Sequence, residues 1–248
     1  MLAHKKHSKE PGDSPAMIQS RRRFLDQGFY DMVSDGINEV VGGNLHELED
    51  GTAFSILDAG CGEGFYLKRL KEYLIGRSGG RIPLDCYGVD ISKFAVGKAA
   101  QRDKTISWAV ANIVDLPFES GSLDIVMNVF ALADFNEFSR ILRETGKLVI
   151  VTPGPRHLNG LREIIYPVSR EHTHSEMSEE AKGLFTLSTA KRVNYPLELK
   201  RNEEIMDLLA MTPYFWNIDL NTKSKVEALN RLELEVDVVI SEFDKTKQ

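Results

Sequence analysis

Ile56-Leu57-Asp58-Ala59-Gly60-Cys61-Gly62-Glu63-Gly64-Phe65 is the stretch on which the fold turns. An apolar strand, 54–58, ends in an acid. Three glycines follow at alternate positions, and a helical pattern resumes at once and runs to about residue 74. Gly60 and Gly62 can take backbone angles closed to other residues, and they let the main chain approach a ligand where a side chain would clash. In an open parallel sheet, ligands bind beyond the carboxyl ends of the strands, which is where this turn sits. A P-loop needs Lys followed by Ser or Thr after its last glycine, but Gly64 is followed by Phe65-Tyr66. A dinucleotide fingerprint reads G-x-G-x-x-G, and here the spacing is one residue short. Asp58 also places negative charge where a pyrophosphate would be repelled. It suits a ligand carrying an amine and a sulfonium, because opposite charges attract strongly where water is partly excluded.

Working toward the C-terminus, Cys86-Tyr87-Gly88-Val89-Asp90 ends a second apolar strand, 84–90. A carboxylate there can accept two hydrogen bonds from a ribose diol. Asp58 and Asp90 stand 32 residues apart, one β-α-β unit. Asn112 follows a third strand, 106–111, where a side-chain amide can read an adenine edge. A helix over 91–102 has Ser92 as its N-cap. Strands over 123–130 and 147–152 flank a helix over 135–143. Strands alternating with helices imply an α/β fold with a parallel sheet and right-handed crossovers. Pro153-Gly154-Pro155 forces a loop, and a short helix over 157–166 follows. Residues 167–195 are polar and read as a flap or insertion within 153–200. A helix over 202–211 and an alternating strand over 232–243 complete the chain.

Working toward the N-terminus, residues 1–16 read as an extended arm. Apolar residues at helical spacing over 16–41 predict two helices, with breaks at Gly28 and Gly36 and a stop at Gly42-Gly43. The expected organisation is one domain over 17–248, with a helical extension over 17–45.

The 248 residues are 42% hydrophobic and 27% charged, as in a globular protein. No apolar run approaches the roughly 20 residues of a membrane helix. The first residues lack the apolar core of a signal peptide, so the expected compartment is the cytoplasm and no membrane partner is expected. Two cysteines, Cys61 and Cys86, fall short of a four-ligand zinc site, and buried free thiols are expected with no metal. A net charge of -6 argues against a basic nucleic-acid face, although Lys5, Lys6, Lys9, Arg21, Arg22 and Arg23 cluster near the start.

The glycine turn with Asp58, Gly60, Asp90 and Asn112 at successive strand ends resembles the class I S-adenosylmethionine-dependent methyltransferases. Their sheet is Rossmann-like and mostly parallel, with a C-terminal antiparallel hairpin at its edge, here joined to N-terminal helices. The resemblance narrows on Pro11-Gly12-Asp13-Ser14, on Arg21-Arg22 with Phe24-Leu25-Asp26, Gly28 and Tyr30, and on Thr152-Pro153-Gly154-Pro155-Arg156-His157-Leu158. These are similar to the bacterial large-subunit ribosomal RNA (guanine-N1)-methyltransferases. That resemblance implies S-adenosylmethionine as cofactor, held by Tyr30, Gly62, Glu63 and His157, with ribosomal RNA as partner and a guanine N1 as acceptor.

Three departures stand out. The family's N-terminal zinc module, with four metal ligands, would end about where this chain starts. Phe130-Ala131-Leu132 replaces an aromatic-Ala-Pro string, and Glu144-Thr145-Gly146 replaces Pro-Gly-Gly. A small-molecule methyltransferase that lost RNA docking, and a non-catalytic S-adenosylmethionine-binding protein, are the competing expectations. Asp134 and Glu137 are candidate bases and Asn128 a candidate amide, but no catalytic residue is assigned. The oligomeric state is left open, a dimer included.

Overall fold

In this computed structural model, the described residues are 12–47, 51–166, 179–216 and 218–246. Every residue of β1 (Phe54–Ala59) is buried. Such double-sided burial is what a central parallel strand requires. It is flanked by β2 (Leu84–Asp90) and β4 (Leu123–Val129), with β3 (Ser107–Val110) outside β2. β5 (Leu142–Pro153), β7 (Leu232–Lys245) and β6 (Phe185–Leu199) extend the other side, giving the order β3-β2-β1-β4-β5-β7-β6. β1 to β5 pair in parallel, whereas β7 pairs antiparallel with both β5 and β6. Chain order reverses between β1 and β4, and a crevice opens there beyond the strand ends. Alternate side chains point to opposite faces. Ile56, Ile125 and Val149 face one core with Val33, Leu67 and Leu70. Leu57, Val126 and Leu148 face the other with Phe138 and Ile141.

α1 (Pro15–Asp26) starts where Ser14 accepts a hydrogen bond from Met17 N and Pro15 takes the first turn. Gly28, at φ +81°, breaks the chain before α2 (Asp31–Gly42), as expected. Gly36 does not break it. It sits inside α2, where a Cβ would lie 2.8 Å from both Ile240 and Val193. This glycine lets the helix press onto β6 and β7 rather than ending it. α3 (Phe65–Ser78) and α4 (Lys93–Arg102) are the first two crossovers. Ser92 caps α4, and its hydroxyl donates to Asp13 O at 2.9 Å. The described end of the arm, Gly12–Ser14, is thereby fastened beside Asp90. Residues 1–11, including Lys5, Lys6 and Lys9, lie outside the described residues.

α5 (Phe135–Ile141), α6 (Asn159–Ile165), α7 (Glu179–Leu184), α8 (Asn202–Ala210) and α9 (Leu220–Glu227) complete the α-helices of the described residues. The segment read as a flap or insertion within 153–200 needs correction over residues 185–199. Residues 185–199 form β6, paired with β7 from Phe185↔Lys245 to Leu199↔Leu232. Thr186, Ser188 and Thr189 face solvent because it is the sheet edge, where polar side chains are tolerated. That exposure erased the apolar alternation that marks a strand. Residues 167–178, with His172 and His174, lie outside the described residues. Among the described residues no helix is long and apolar enough to cross a membrane.

Candidate cofactor site

At the end of β1 the chain turns through Gly60 at φ +89°, and the N–H groups of Gly60 and Cys61 both donate to Val89 O at 2.9 Å. A Cβ on Gly60 would sit 2.6 Å from Ala131 Cβ, and one on Gly64 2.7 Å from the Trp108 ring. The turn is thus clasped on both sides and closed to side chains. Asp90 braces it, accepting from Gly62 N at 2.9 Å and Ser92 N at 2.8 Å. Burial raises the Asp90 carboxyl above its usual range, opposed by those two hydrogen bonds.

Asp58 is fully buried, and neither of its oxygens has a partner. Burial first, and the Asp90 charge second, push it up to about 8. An unpaired buried carboxylate is costly, so this one awaits a donor. Glu63 is also buried, and its Oε2 accepts from Arg102 Nε at 2.7 Å. Arg102 also reaches Asp26 at 2.8 Å, tying α1 to the glycine turn. Burial raises Glu63 to about 7 against the pull of Arg102. Cys61 and Cys86 are buried free thiols, and burial pushes Cys86 up to about 12.

The opposite wall comes from distant parts of the chain. After β5, Gly154 N donates to Asp237 O at 2.7 Å and Arg156 N to Asp237 Oδ2 at 2.9 Å. Arg192 grips the same carboxylate through two nitrogens, at 2.7 and 2.9 Å, and holds it below the usual range. Asp237 N then donates to His157 Nδ1 at 3.2 Å. That leaves the ring proton on Nε2, which points to the Tyr30 hydroxyl at 3.4 Å. Phe130 stacks on the His157 ring, with centroids 5.8 Å apart and planes 20° from parallel.

Both walls enclose a cavity of about 1650 Å³. All eight expected positions line it: Tyr30, Asp58, Gly60, Gly62, Glu63, Asp90, Asn112 and His157. Other candidates are committed elsewhere. Asp134 caps α5 by accepting from Glu137 N. Glu137 accepts from Leu116 N and is held low by Arg140. The Asn128 amide donates to Ala59 O at 2.8 Å and Leu132 O at 2.9 Å. Arg21, Arg22 and Arg23 pair with Asp13, Asp26 and Asp207, so these arginines are not a free basic face. Sequence reasoning missed Arg192 and Asp237, and named Phe130 only within the Phe130-Ala131-Leu132 string, without a role. An acid at 237 inside the run Val236 to Ile240 was the one available signal.

A sheet of this order, with a glycine turn after its first strand and an acid ending its second, defines a class I S-adenosylmethionine-dependent methyltransferase. A family model described as a methyltransferase domain matches residues 57–150. A Bacillus subtilis (strain 168) protein, provisionally named a 23S rRNA (guanine-N(1)-)-methyltransferase, YxjB, is 31% identical over 90% of this chain and 78% of its own. The 23S rRNA (guanine(748)-N(1))-methyltransferase of Streptomyces fradiae is 29% identical over 86% and 72%. Among solved structures, YcgJ of Bacillus subtilis superposes with a TM-score of 0.53 over 84% of this chain and 98% of its own, at 16% identity, and shares the fold. The chain belongs to the methyltransferase family that contains these 23S rRNA (guanine-N1) relatives.

The residues at the cavity fit the cofactor. Asp58 offers two unpartnered oxygens, and Gly60, Gly62 and Asp90 line the same cavity beside it.

Proposed function

We propose that this methyltransferase acts on N1 of a guanine in large-subunit ribosomal RNA. The observation that carries the reading is the reach of the similarity. The Bacillus relative aligns over 90% of the chain, well beyond the matched domain of residues 57–150. Tyr30, His157, Arg192 and Asp237 of the His157 wall all lie outside that matched domain.

In this reading Asp90, already oriented by two N–H groups, accepts the ribose hydroxyls. Asp58 takes the ammonium of the amino-acid end, and Asn112 reads the adenine edge. Gly60 and Gly62 admit the backbone of the turn to close range. Tyr30, Glu63 and His157 complete the enclosure. When bound, the cofactor supplies an electrophilic methyl group on a sulfonium. The chain's own contribution is alignment and exclusion of water, which can carry much of the barrier of a displacement. The cavity, at about 1650 Å³, exceeds the roughly 300–1,000 Å³ of a pocket for one small ligand. It has room for a flipped base beside the cofactor.

The test is methyl transfer from labelled S-adenosylmethionine to an unmodified large-subunit rRNA transcript, read as 1-methylguanosine by nucleoside mass spectrometry. Appearance of that nucleoside is the expected result. A small-molecule acceptor is the second reading, favoured by the net charge of -6 and by the acid partners of Arg21, Arg22 and Arg23. Label entering a metabolite extract and no RNA would replace the first reading with it.

A further inference from the structure

Phe130 follows β4 at φ +52°, a left-handed backbone that a bulky residue rarely adopts. Three contacts impose it. Phe130 N donates to Val151 O at 3.1 Å, the Asn128 amide holds Leu132 O at 2.9 Å, and Ala131 packs on Gly60. The strain does nothing for the core, because the ring is 40% exposed and lines the cavity. Strained residues kept by their surroundings cluster where ligands are held. One side of this ring lies along His157, whose own ring is fixed by Asp237 N and Tyr30. Leu132, 84% exposed, and Leu187, 54% exposed, stand with it among the cavity's lining residues. The chain therefore spends strain to hold a rigid aromatic plane out of the core, in apolar company, beside His157 and lining the cavity.

We propose that Phe130 is an acceptor-positioning residue, a stacking platform that holds the planar ring of the incoming base. Stacking suits a purine because it needs a flat face and no matching donor or acceptor. The proposal rests on the guanine reading above.

Three proteins test it: wild type, Phe130→Asn and Phe130→Tyr. Asparagine tolerates the left-handed backbone and lacks the ring, so the Asn variant separates the platform from the turn. Cofactor affinity is measured by calorimetry without RNA, and kcat/KM with the rRNA transcript. Phe130→Asn is expected to bind S-adenosylmethionine like wild type, to melt no lower, and to lose roughly ten- to hundredfold in kcat/KM for RNA. Phe130→Tyr, which keeps the plane, should retain most of that activity. Unchanged kcat/KM in Phe130→Asn overturns the proposal. So does a matching loss of cofactor affinity, which would assign the ring to the cofactor instead, or a Tyr variant as poor as the Asn one. Failure of the guanine reading shows separately, as wild type forming no 1-methylguanosine, and it takes the platform with it.

Discussion

The glycine turn and the His157 wall face each other across one cavity, but they are assembled in different ways. Asp58, Gly60, Gly62 and Asp90 fall within one β-α-β unit, braced by backbone groups of the same unit. Tyr30, Phe130, His157, Arg192 and Asp237 come from five separate stretches, and Tyr30 and His157, 127 positions apart, meet through a side-chain hydrogen bond. The turn is rigid because its local geometry permits little else. The wall is rigid only while the sheet edge formed by β6 and β7 is in place. Damage to the turn should therefore cost more cofactor binding than damage to the wall, where losses should be graded and shared among partners.

The strongest test of that contrast is Gly60→Ala. Its φ of +89° and a Cβ 2.6 Å from Ala131 leave no relaxed position. The expected loss is about 3 kcal/mol of stability, with cofactor binding lost. Adding Ala131→Gly should recover the clash but not the backbone strain. A Gly60→Ala protein with wild-type melting and affinity would erase the distinction.

Asp90→Ala comes next. It removes the brace on Gly62 and Ser92 together with the expected ribose contact, and should weaken S-adenosylmethionine binding by roughly 1–3 kcal/mol. Unchanged affinity in calorimetry would sink the ribose assignment.

On the wall, Asp237→Asn keeps the backbone donor to His157 and loses the charged grip of Arg192. A loss of about 1 kcal/mol is expected, seen as a melting shift of about 2–4 °C. Arg192→Gln should lower the melting temperature in the same direction, and the double variant little further, because both remove one interaction. Additive losses would show that the two residues act independently.

The gentlest effect is a pH trend. Asp58 is raised from 3.8 to about 8 in the folded protein. Between those values the folded state holds a proton that the unfolded chain has released, so stability falls as pH rises. The contribution is fully present below about 4 and is lost by the time pH passes about 8. Glu63, raised to about 7, adds a slope of the same sign. Asp58→Asn should flatten the melting profile of the cofactor-free protein over this window. Saturating S-adenosylmethionine should flatten it in wild type by giving the carboxylate a cation. A wild-type profile that rises from pH 5 to 8 would contradict the burial of an unpaired Asp58.

Legibility in the sequence follows the same divide. The strand ending at Asp58, the three glycines, Ser92 as a cap and Asp90 at the next strand end were all readable, since each rests on spacing within a turn or a strand. Gly36 was misread as a helix break, because the contact that explains it is with Ile240 and Val193, far along the chain. β6 was misread as part of a flap, because an edge strand with solvent-facing Thr and Ser lacks apolar alternation. Arg21, Arg22 and Arg23 stand out in the sequence only as a basic cluster near its start, and the fold sets Asp13, Asp26 and Asp207 against them.

By itself, then, the sequence determined the α/β class, the cofactor turn and the acids beside it, because glycine conformation and strand periodicity act over a few residues. The tertiary structure decided which side chains form the far wall. It set the His157 proton on Nε2, committed Asp134, Glu137 and Asn128 to the scaffold, and turned Phe130 toward the cavity. Those outcomes depend on which distant strands become neighbours, and that is fixed only when β7 inserts between β5 and β6.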